Sequence, residues 1–330
     1  FPGIPEHVVN FFLLIAEEIR QIMSLLGIAK LEDLIGRTDL LEPREIALSK
    51  TKALDLSCLL KPITQAENRS WLSHESKAHN NGKVLEDDLL ENPLIINAIQ
   101  NHGQASQKIS IVNTDRSVCA RISGEIADLH GNTGFKGNLD LTFEGAAGQS
   151  FGAFVLKGMN VLLIGEANDY VGKGLNGGRI TIINPTQRMN PGEQVILGNT
   201  CLYGATGGEL FAIGRAGERF GVRNSGANAV IEGAGDHCCE YMTGGVIIVL
   251  GSTGRNVGAG MTGGITFLLD EQGTALEKIN DEIVQVFPIT NKAQEEIIKP
   301  LLKKHFIYTK SDKANEILED WNFWKDKFKM

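Results

Sequence analysis

The apolar residues near the start of the chain follow the period of an α-helix. They recur in steps of three and four between Val8 and Leu26, with Pro5 suited to a first helical turn and Gly27 suited to the position just past a helix end. The positions on this face are Val8, Phe12, Ile15, Ile19, Ile22 and Leu26. The pattern predicts an amphipathic helix whose apolar face needs a partner to cover it.

Shorter helical patterns flank the middle of the chain. Asn92 and Pro93 form a good N-cap and first-turn pair for one of them. The predicted helices are 30–35, 92–102 and 115–129, with two more around 297–302 and 317–324, and a strand is predicted at 108–112. Residues 60–90 are polar and lack a period, so we expect an extended connection in which Trp71, His74 and His79 pack locally.

The middle of the chain repeats every 19 residues. Four glycines keep this spacing, and two columns of apolar residues keep it beside them. The glycines are Gly207, Gly226, Gly245 and Gly264, and the columns are Phe211, Val230, Val249 and Leu268, and Leu210, Ala229, Ile248 and Phe267. This spacing predicts that each strand lies beside the strand one period later.

The same step extends the repeat towards the N-terminus. Val161 and Leu163 map onto Ile180 and Ile182. The next gap, between 177 and 207, is 30 residues, which equals one period plus an 11-residue insertion that the stretch 185–193 can supply as a loop. The repeat therefore accommodates an insertion.

Short strands at this period, without helices between them, are typical of a solenoid of stacked coils. We expect a mixed α and β fold in which a right-handed parallel β-helix is flanked by N-terminal and C-terminal helices. A leucine-rich repeat would need a recurring leucine pattern. A calcium-binding nonapeptide helix would need a recurring aspartate, whereas Asp169, Asp236 and Asp270 share no register. The corner glycines are expected to be structural, because backbones approach closely there.

Composition narrows the possible functions. The chain has 38 glycines against 9 prolines, which fits ordered tight turns rather than a linker. A net charge of −8 argues against a nucleic-acid surface. Five cysteines without a CxxC pair suit a reducing compartment, and no stretch approaches the roughly 20 apolar residues of a membrane span. We expect neither nucleic acid nor a membrane as a partner.

Two segments, 172–177 and 258–263, match the GxGxxG pattern of dinucleotide-binding proteins. In those proteins the glycine turn opens a helix whose N-terminus holds the pyrophosphate. Here a strand is predicted to follow each segment, at 179–183 and 265–269. Nucleotide binding is therefore not expected.

His237, Cys238 and Cys239 could suggest a zinc site. Adjacent side chains on a strand point to opposite faces, and no second pair stands at ligand spacing, so we expect core packing instead. An iron–sulfur cluster needs three or four convergent cysteines, and the other three are dispersed.

Charged residues in the repeat also suggest no active site. Arg215, Arg219 and Arg223 are expected to be solvated edges or salt-bridge partners. The residues one period after Glu209, Glu232 and Asp236 are Asn228, Gly251 and Arg255, so no carboxylate ladder of a carbohydrate enzyme forms. We therefore expect no catalytic, cofactor-binding or metal-binding residue in this chain. Asn68–Arg69–Ser70 is a glycosylation signal that a reducing compartment would leave unused.

Several segments resemble the C-terminal glycine-repeat domain of glutamate synthase. They are 166–174, 202–208, 214–219 and 235–245, while 3–11 and 35–41 resemble the junction just after that family's flavin barrel. The resemblance implies four parts: 1–41 as the end of the FMN-barrel synthase domain, 42–107 as a helical and extended connection, 108–275 as the β-helix, and 276–330 as C-terminal helices.

The resemblance also implies a function for a longer enzyme. That enzyme hydrolyses glutamine, passes ammonia through a tunnel and forms glutamate from 2-oxoglutarate at an FMN centre fed by a 3Fe-4S cluster. Its nucleophile, cluster ligands and flavin loops would lie upstream, and Phe1 is no nucleophile. We expect this chain to be a fragment that binds no cofactor alone. It would be an inactive scaffold whose partners are the upstream amidotransferase and FMN synthase domains.

The type of electron donor is indicated by two details. The Cys238–Cys239 pair and the short insertion after Ile183 resemble the ferredoxin-dependent branch more than the pyridine-nucleotide branch. Richness in Ile, Asn and Lys favours a plastid genome, and hence the chloroplast stroma, with a bacterial cytoplasm as the alternative. Two other functions stay open: a stand-alone interaction subunit similar to those of formylmethanofuran dehydrogenase, and a β-helix carbohydrate enzyme, against which the missing carboxylate ladder counts.

Overall fold

The computed structural model describes residues 3–44, 51, 54–61, 82–183 and 191–330. The chain forms two compact units, Phe1–His79 and Asn80–Met330. Trp71, His74, the Asn68–Arg69–Ser70 signal and most of the predicted 185–193 loop lie outside the described residues, as does His79.

The first unit is dominated by its opening helix. Helix α1 spans Pro5–Leu25, and Gly27 follows it with a φ of +69°, as the pattern predicts. Two 3₁₀ turns, Leu31–Leu34 and Thr38–Leu40, and the short helix α2, Ser57–Leu60, come next. Within α1 only Met23 is buried, so nearly the whole apolar face of the helix is exposed.

The second unit has mixed α and β structure. Its helices are α3 Leu85–Glu91, α4 Pro93–Gln100, α5 Ala120–His130, α6 Lys292–Thr309, α7 Asp312–Glu319 and α8 Trp321–Trp324. Its strands are β1 Gln104–Ile111, β2 Asn138–Ala147, β3 Met159–Ala167, β4 Asn176–Ile183, β5 Val195–Leu197, β6 Gly207–Ala216, β7 Ser225–Gly233, β8 Thr243–Val249, β9 Gly263–Leu269 and β10 Phe328–Lys329.

All these strands belong to one large sheet. The order is β1-β2-β3-β4-β6-β7-β8-β9-β10, and β5 pairs with β3 and β6 off this path. Among the described residues every pairing between these named strands is parallel except that of β10 with β9. The architecture is a large, mostly parallel sheet with helices near the N-terminal and C-terminal ends of the unit's sequence.

Strand register confirms the predicted period. Val161 of β3 pairs with Ile180 of β4, and Glu209 of β6 pairs with Asn228 of β7, each 19 positions apart. Between β4 and β6 the step is 30, because Ile180 pairs with Leu210. The insertion leaves the ladder intact.

One step departs from the predicted register. Ser225 pairs with Gly244, but Asn228 pairs with Val246, so β7 carries one extra residue in a β-bulge. Val230 therefore pairs with Ile248 rather than Val249. A slip of one residue moves a side chain to the opposite face of a sheet. The two predicted apolar columns were consequently wrong from β8 onward: Val230 continues to Ile248 and Phe267, whereas Ala229 continues to Ile247 and Thr266.

The corrected columns face two different cores. One core lies on the inner side of the sheet and includes Leu210, Ala229 and Ile247. The other lies between the sheet and the C-terminal helices. Its largest members are Phe211, Val230, Ile248 and Phe267 from the strands, and Leu302, Ile317, Trp321 and Trp324 from the helices.

The bulges explain why particular glycines are needed. Gly245 has a φ of +85°, and a Cβ there would lie 2.2 Å from the Ala227 carbonyl oxygen. A Cβ on Gly226 would lie 2.2 Å from the Thr206 oxygen, also far inside van der Waals contact. Gly207 differs: its nearest neighbour would be 3.6 Å away, and the constrained position is Gly208, with a φ of +87°. The predicted glycine column is thus displaced by one residue at its start.

Helix α5 begins five residues later than predicted. Ile122 and Ile126 are buried as the pattern requires, but Leu129 is exposed. The delay arises because Cys119 has a φ of +82°, which no helix tolerates. The buried carboxylate of Glu86 then accepts the amides that start the helix, as described below.

The turns between strands form a second ladder of hydrogen bonds. In one turn His237, Cys239 and Tyr241 all have positive φ, between 54° and 61°. The His237 and Tyr241 amides donate to the following turn, at 2.8 Å each, whereas the Cys239 amide donates to the preceding turn at 2.7 Å. Left-handed residues recur at the same alternate positions in 150–154, 170–174, 200–204, 219–223 and 256–260. Stacked neighbours hold a conformation that single residues adopt only at a cost.

Candidate functional site

The two GxGxxG segments occupy these turns and not a nucleotide site. Gly172 and Gly174 have positive φ, and their amides donate to the carbonyls of Phe151 and Tyr203 at 2.9 Å each. Strand β4 follows the first segment and strand β9 follows the second. The amides of Gly172, Gly174 and Gly258 are thus already paired, and a strand rather than a helix N-terminus follows each segment.

His237, Cys238 and Cys239 lie in a turn rather than on a strand, so the predicted geometry was wrong. Both thiols are nevertheless fully buried, with their sulfurs 3.7 Å apart. The hydrogen bond from Cys239, followed by burial, raises the pKa of Cys238. The His237 Nδ1 lies 2.9 Å from the Asn256 side-chain nitrogen in the next turn. These side chains pack and stack with neighbouring turns.

Cys119 and Cys201 are buried as well. Burial raises the pKa of Cys201 to about 12 and that of Cys119 well above its usual value. A thiol attacks only as the thiolate, so neither is a nucleophile at neutral pH.

The three arginines of the repeat have three different environments. Arg215 is half-buried, and its Nη1 donates to the Ser252 carbonyl oxygen at 3.1 Å and to its hydroxyl at 2.8 Å. Arg215 is therefore more than a solvated edge, because it joins β6 to the segment that follows β8. Arg219 lies 3.5 Å from the carboxylate of Glu240, and Arg223 lies 5.9 Å from the Tyr241 ring centroid. No common anion site results from these contacts.

The acidic residues pair with bases instead of with one another. Asp236 accepts the Arg255 amide and its Nε, both at 3.0 Å. The amide and guanidinium of Arg255 hold the pKa of Asp236 below its usual value. Glu209 pairs with Lys304 of α6. These contacts agree with the absence of a carboxylate ladder predicted for the repeat.

A buried polar cluster under the C-terminal helices was not predicted. Glu232 of β7, His305 of α6 and Ser311 are all buried. The His305 Nε2 lies 3.1 Å from Glu232 Oε1, and the Ser311 hydroxyl donates to the same oxygen at 2.5 Å. More than 70 positions separate the glutamate from its partners, so no local sequence pattern could have linked them.

This cluster has the residue types of a hydrolytic triad but not its geometry. A triad needs the histidine between the serine and the carboxylate. Here serine and histidine both bond to the carboxylate, and Ser311 Oγ also accepts the Ala314 amide at 3.1 Å as the N-cap of α7. The cluster therefore anchors α6 and α7 on the sheet.

A cavity of about 610 Å³ lies at the end of the sheet. One wall consists of β9 and the turn that precedes it, and the other consists of Ile279 and 283–287. Lys329 and Met330, at the end of β10, also line it. Its walls are mainly apolar and include backbone of the last parallel strand.

Two further kinds of feature are absent from the described ranges. No group of three or more His, Cys, Asp or Glu side chains is placed to hold a metal ion there. None of the helices in those ranges combines the length and apolar character needed to cross a membrane.

The glycine-rich parallel sheet with stacked turns defines the class of protein. Residues 86–330 match the GXGXG motif family model, and the chain belongs to this family. Nearly the whole chain is also similar to ferredoxin-dependent glutamate synthases. It is 57% identical over 330 residues to ferredoxin-dependent glutamate synthase 2 of Synechocystis sp., covering 99% of this chain and 21% of that protein.

Plant and algal proteins are similar over the same region. Identity is 52% over 332 residues with the chloroplastic/mitochondrial ferredoxin-dependent glutamate synthase 1 of Arabidopsis thaliana, covering 98% of this chain and 20% of that protein. It is 54% over 329 residues with the enzyme of Antithamnion sp., covering 99% and 21%. The chain thus spans about a fifth of the length of the curated relatives it matches.

Proposed function

We propose that this chain is a non-catalytic structural section of a ferredoxin-dependent glutamate synthase. The observation that carries the proposal is the identity of about half or more with these enzymes over nearly the whole chain. A stand-alone subunit is disfavoured, because in the relatives this region is about a fifth of a much longer chain. A carbohydrate enzyme is disfavoured by the pairing of Asp236 with Arg255.

The finer proposal for the fold is a right-handed parallel β-helix. Two ladders with one common period support it: the strands pair at steps near 19 residues, and the turns bond to one another at the same steps. One coil alone would leave its inner apolar residues exposed, and stacking covers them. We assign residues 108–275 to this domain, 1–41 to the end of an FMN-barrel domain, 42–107 to a connection and 276–330 to closing helices.

A stacked domain of this kind is suited to a scaffold role. The His305–Glu232–Ser311 cluster fixes the closing helices to the sheet, and apolar side chains fill both faces of the middle strands. Such packing resists bending, because protein interiors are dense and deform little. The section would hold the amidotransferase and synthase domains at a fixed separation so that the ammonia path stays closed.

The FMN and the 3Fe-4S cluster of the whole enzyme would be held by other parts of it. An iron–sulfur cluster needs several convergent thiolates. In the described ranges Cys58 is exposed and the remaining four are buried, with no convergent group. The amides of Gly172, Gly174 and Gly258 in the GxGxxG turns are paired with neighbouring turns. These residues fit neither cofactor, and no reaction step is assigned to them.

Ferredoxin would be the electron donor of the whole enzyme, and the compartment would be the plastid stroma. The first point is supported by the ferredoxin-dependent relatives, and the second by those that are chloroplast proteins. A cyanobacterial cytoplasm is the alternative, because one relative is from Synechocystis.

The full-length polypeptide and the chain of residues 1–330 test this proposal. We expect the full-length protein to form glutamate from glutamine and 2-oxoglutarate with reduced ferredoxin. The shorter chain should lack both this activity and flavin absorbance. Placing Gly245→Val in the full-length protein should raise the ammonia released per glutamate formed, with Gly207→Ala as the control. Stoichiometric FMN in the shorter chain would contradict the proposal. An unchanged amount of ammonia released per glutamate formed, in a Gly245→Val protein whose repeat region has unfolded, would also contradict it.

A further inference from the structure

Two histidine rings stack where three segments of the second unit meet. His102 follows α4, and His130 is the last residue of α5. Their ring centroids lie 4.1 Å apart, with 30° between the ring planes. Phe135 belongs to the link 131–137 between α5 and β2, and its ring centroid lies 5.9 Å from both. The stack thus joins the ends of two helices to the link that leads into the sheet.

The link has a defined position beside His102. The Phe135 ring is buried, and Gly137 leaves the space that it fills. A Cβ on Gly137 would lie 2.3 Å from Phe135 Cζ and 2.4 Å from the Gly103 carbonyl oxygen. The Asn138 amide donates to the same Gly103 oxygen at 2.9 Å. The link therefore packs closely against the residue that follows His102.

The hydrogen bonds of the two rings define which nitrogens carry a proton. The Lys136 amide donates to His102 Nδ1 at 3.2 Å, so this nitrogen is unprotonated. His130 Nε2 lies 2.6 Å from the Ile99 carbonyl oxygen, which can only accept, so this nitrogen carries a hydrogen. His102 is neutral in this arrangement. The proton that would charge it must bind Nδ1, and it would break the bond from Lys136.

The charged groups that act on His102 are both basic. They are His130 of α5, across the stack, and Lys136 of the link. Among the described residues, the histidines that lie within ion-pair distance of a carboxylate are His237 and His305, so neither ring of the stack has such a partner. Charging His102 therefore adds a cation beside a second base and a lysine, with no carboxylate to compensate it.

The direction of the pKa shift agrees with this geometry. Desolvation, followed by the charges of His130 and Lys136, lowers the pKa of His102 from its ordinary value of 6.5. A pKa lowered by folding means that the unfolded chain binds the proton more readily. The stability contributed by the neutral stack is then present above pH 6.5 and is lost as the pH falls through the lowered pKa.

We propose that the His102–His130 stack is a pH-sensitive switch that holds the link 131–137 in place while His102 is neutral and releases it when His102 binds a proton. His130 keeps its bond to Ile99 in both states, because its Nε2 carries a hydrogen in both. The segment that moves is therefore the link with Phe135, and the helices stay in place.

Amide hydrogen exchange in the full-length polypeptide tests the switch. Dividing the intrinsic exchange rate at each pH by the measured rate gives a protection factor that can be compared between pH values. We expect the protection of 135–137 to fall roughly tenfold or more between about pH 7.5 and about pH 5, while that of β3 stays constant. Constant protection of 135–137 over this range would overturn the inference.

Two matched variants show whether His102 is responsible. His102→Asn places an amide oxygen where Nδ1 lies and cannot be charged, and Asn tolerates the left-handed backbone of this position, where φ is +52°. Protection of 135–137 in this variant should not depend on pH. His7→Asn, at an exposed histidine of α1, is the control and should keep the loss of protection seen in the parent. A loss that persists in His102→Asn would overturn the inference.

The titration of His102 distinguishes a switch from a contact that is only structural. Deuterium exchange at the histidine Cε1, followed over pH by mass spectrometry, gives the pKa of His102 in the full-length protein. The loss of protection at 135–137 should have its midpoint at this pKa. His130→Gln keeps a donor for the Ile99 oxygen and removes the neighbouring base, so it should raise the pKa and the midpoint together.

A midpoint that does not follow the pKa of His102, or a pKa at or above 6.5, would overturn the inference. These readouts follow the opening of the link and do not depend on turnover. A full-length protein that forms no glutamate would therefore refute the proposed function alone.

Discussion

The His305 Nε2 lies 3.1 Å from the Glu232 Oε1 in a site that no solvent reaches. One carboxylate on a central strand thus bonds to groups from two parts of the C-terminal helical region. Removing it would leave the His305 and Ser311 donors without an acceptor inside the protein. Unsatisfied buried groups cost more than the bonds themselves contribute.

Glu232→Ala should therefore lower the free energy of unfolding by about 3 kcal/mol. The control is Glu209→Ala, which removes a partly exposed pair with Lys304 and should cost less than about 1 kcal/mol. Urea denaturation followed by the fluorescence of the buried Trp321 and Trp324 measures both. Equal effects of the two variants would mean that the buried cluster does not anchor the helices.

The burial of Glu86 predicts how the stability of the folded protein depends on pH. Its carboxylate accepts the Arg121 and Ile122 amides at 3.2 Å, while burial raises its pKa above the ordinary value of 4.5. A raised pKa in the folded state means that stability present at low pH is lost as pH rises through that pKa. Glu86→Gln keeps an acceptor and removes the charge, so the variant should gain stability relative to the parent as the pH rises from the ordinary carboxyl pKa of 4.5 through the raised pKa of Glu86.

Glu86→Ala is the informative comparison. It removes the acceptor as well as the charge, so it should be less stable than Glu86→Gln by about 1–3 kcal/mol at every pH, because two buried amides at the start of α5 lose their partner. Thermal unfolding of the parent and both variants at several pH values measures the difference. A Gln variant whose stability relative to the parent does not change with pH would show that the carboxylate carries no burial penalty.

Two glycines with the same spacing in sequence should respond differently to a methyl group. Gly226→Ala should destabilise by about 1–3 kcal/mol or more, because its Cβ would overlap the Thr206 oxygen. Gly207→Ala should change stability by less than about 0.5 kcal/mol, because 3.6 Å of space is available. Calorimetry of both variants tests the assignment. Similar melting temperatures would place the two glycines in equivalent environments and contradict the described register.

The exposed face of α1 should cause self-association. Phe12 belongs to the apolar face of α1 and is 64% exposed, and Leu14, outside that face on the same helix, is 70% exposed. The chain of residues 1–330 should sediment as oligomers, and Phe12→Glu with Leu14→Glu should shift it towards the monomer. Leu129→Glu, at a single exposed leucine of α5, is the control and should not change the distribution. A monomeric parent chain would indicate that this face is covered within the chain.

The repeat could be predicted from the sequence because residues one period apart in the chain lie beside each other in neighbouring strands. The β3–β4 and β6–β7 pairings, and the 30-residue step across the insertion, follow directly from matched residues such as Val161 and Ile180. The bulge could not be predicted, since the extra residue near Gly226 leaves the glycine spacing at 19 while it shifts the pairing of Val230. The spacing between repeats counts all residues of a repeat and does not show where in the repeat an extra residue lies.

The polar contacts were harder to predict. The half-buried state of Arg215 depends on Ser252, which is 37 positions away, and the pairing of Glu232 with Ser311 spans 79 positions. Neither contact repeats with the period.

The parallel ladder has a consequence for how such a protein can change in evolution. Each strand from β1 to β9 on the main path adds about 4.8 Å, so the seven steps make an axis of about 34 Å. An insertion such as the one between β4 and β6 lengthens the chain but leaves this axis unchanged, because the ladder continues across it. The axis can grow or shrink only by whole strands. The length of the axis therefore changes only in steps of one strand, whereas loops of any size can be inserted between the strands.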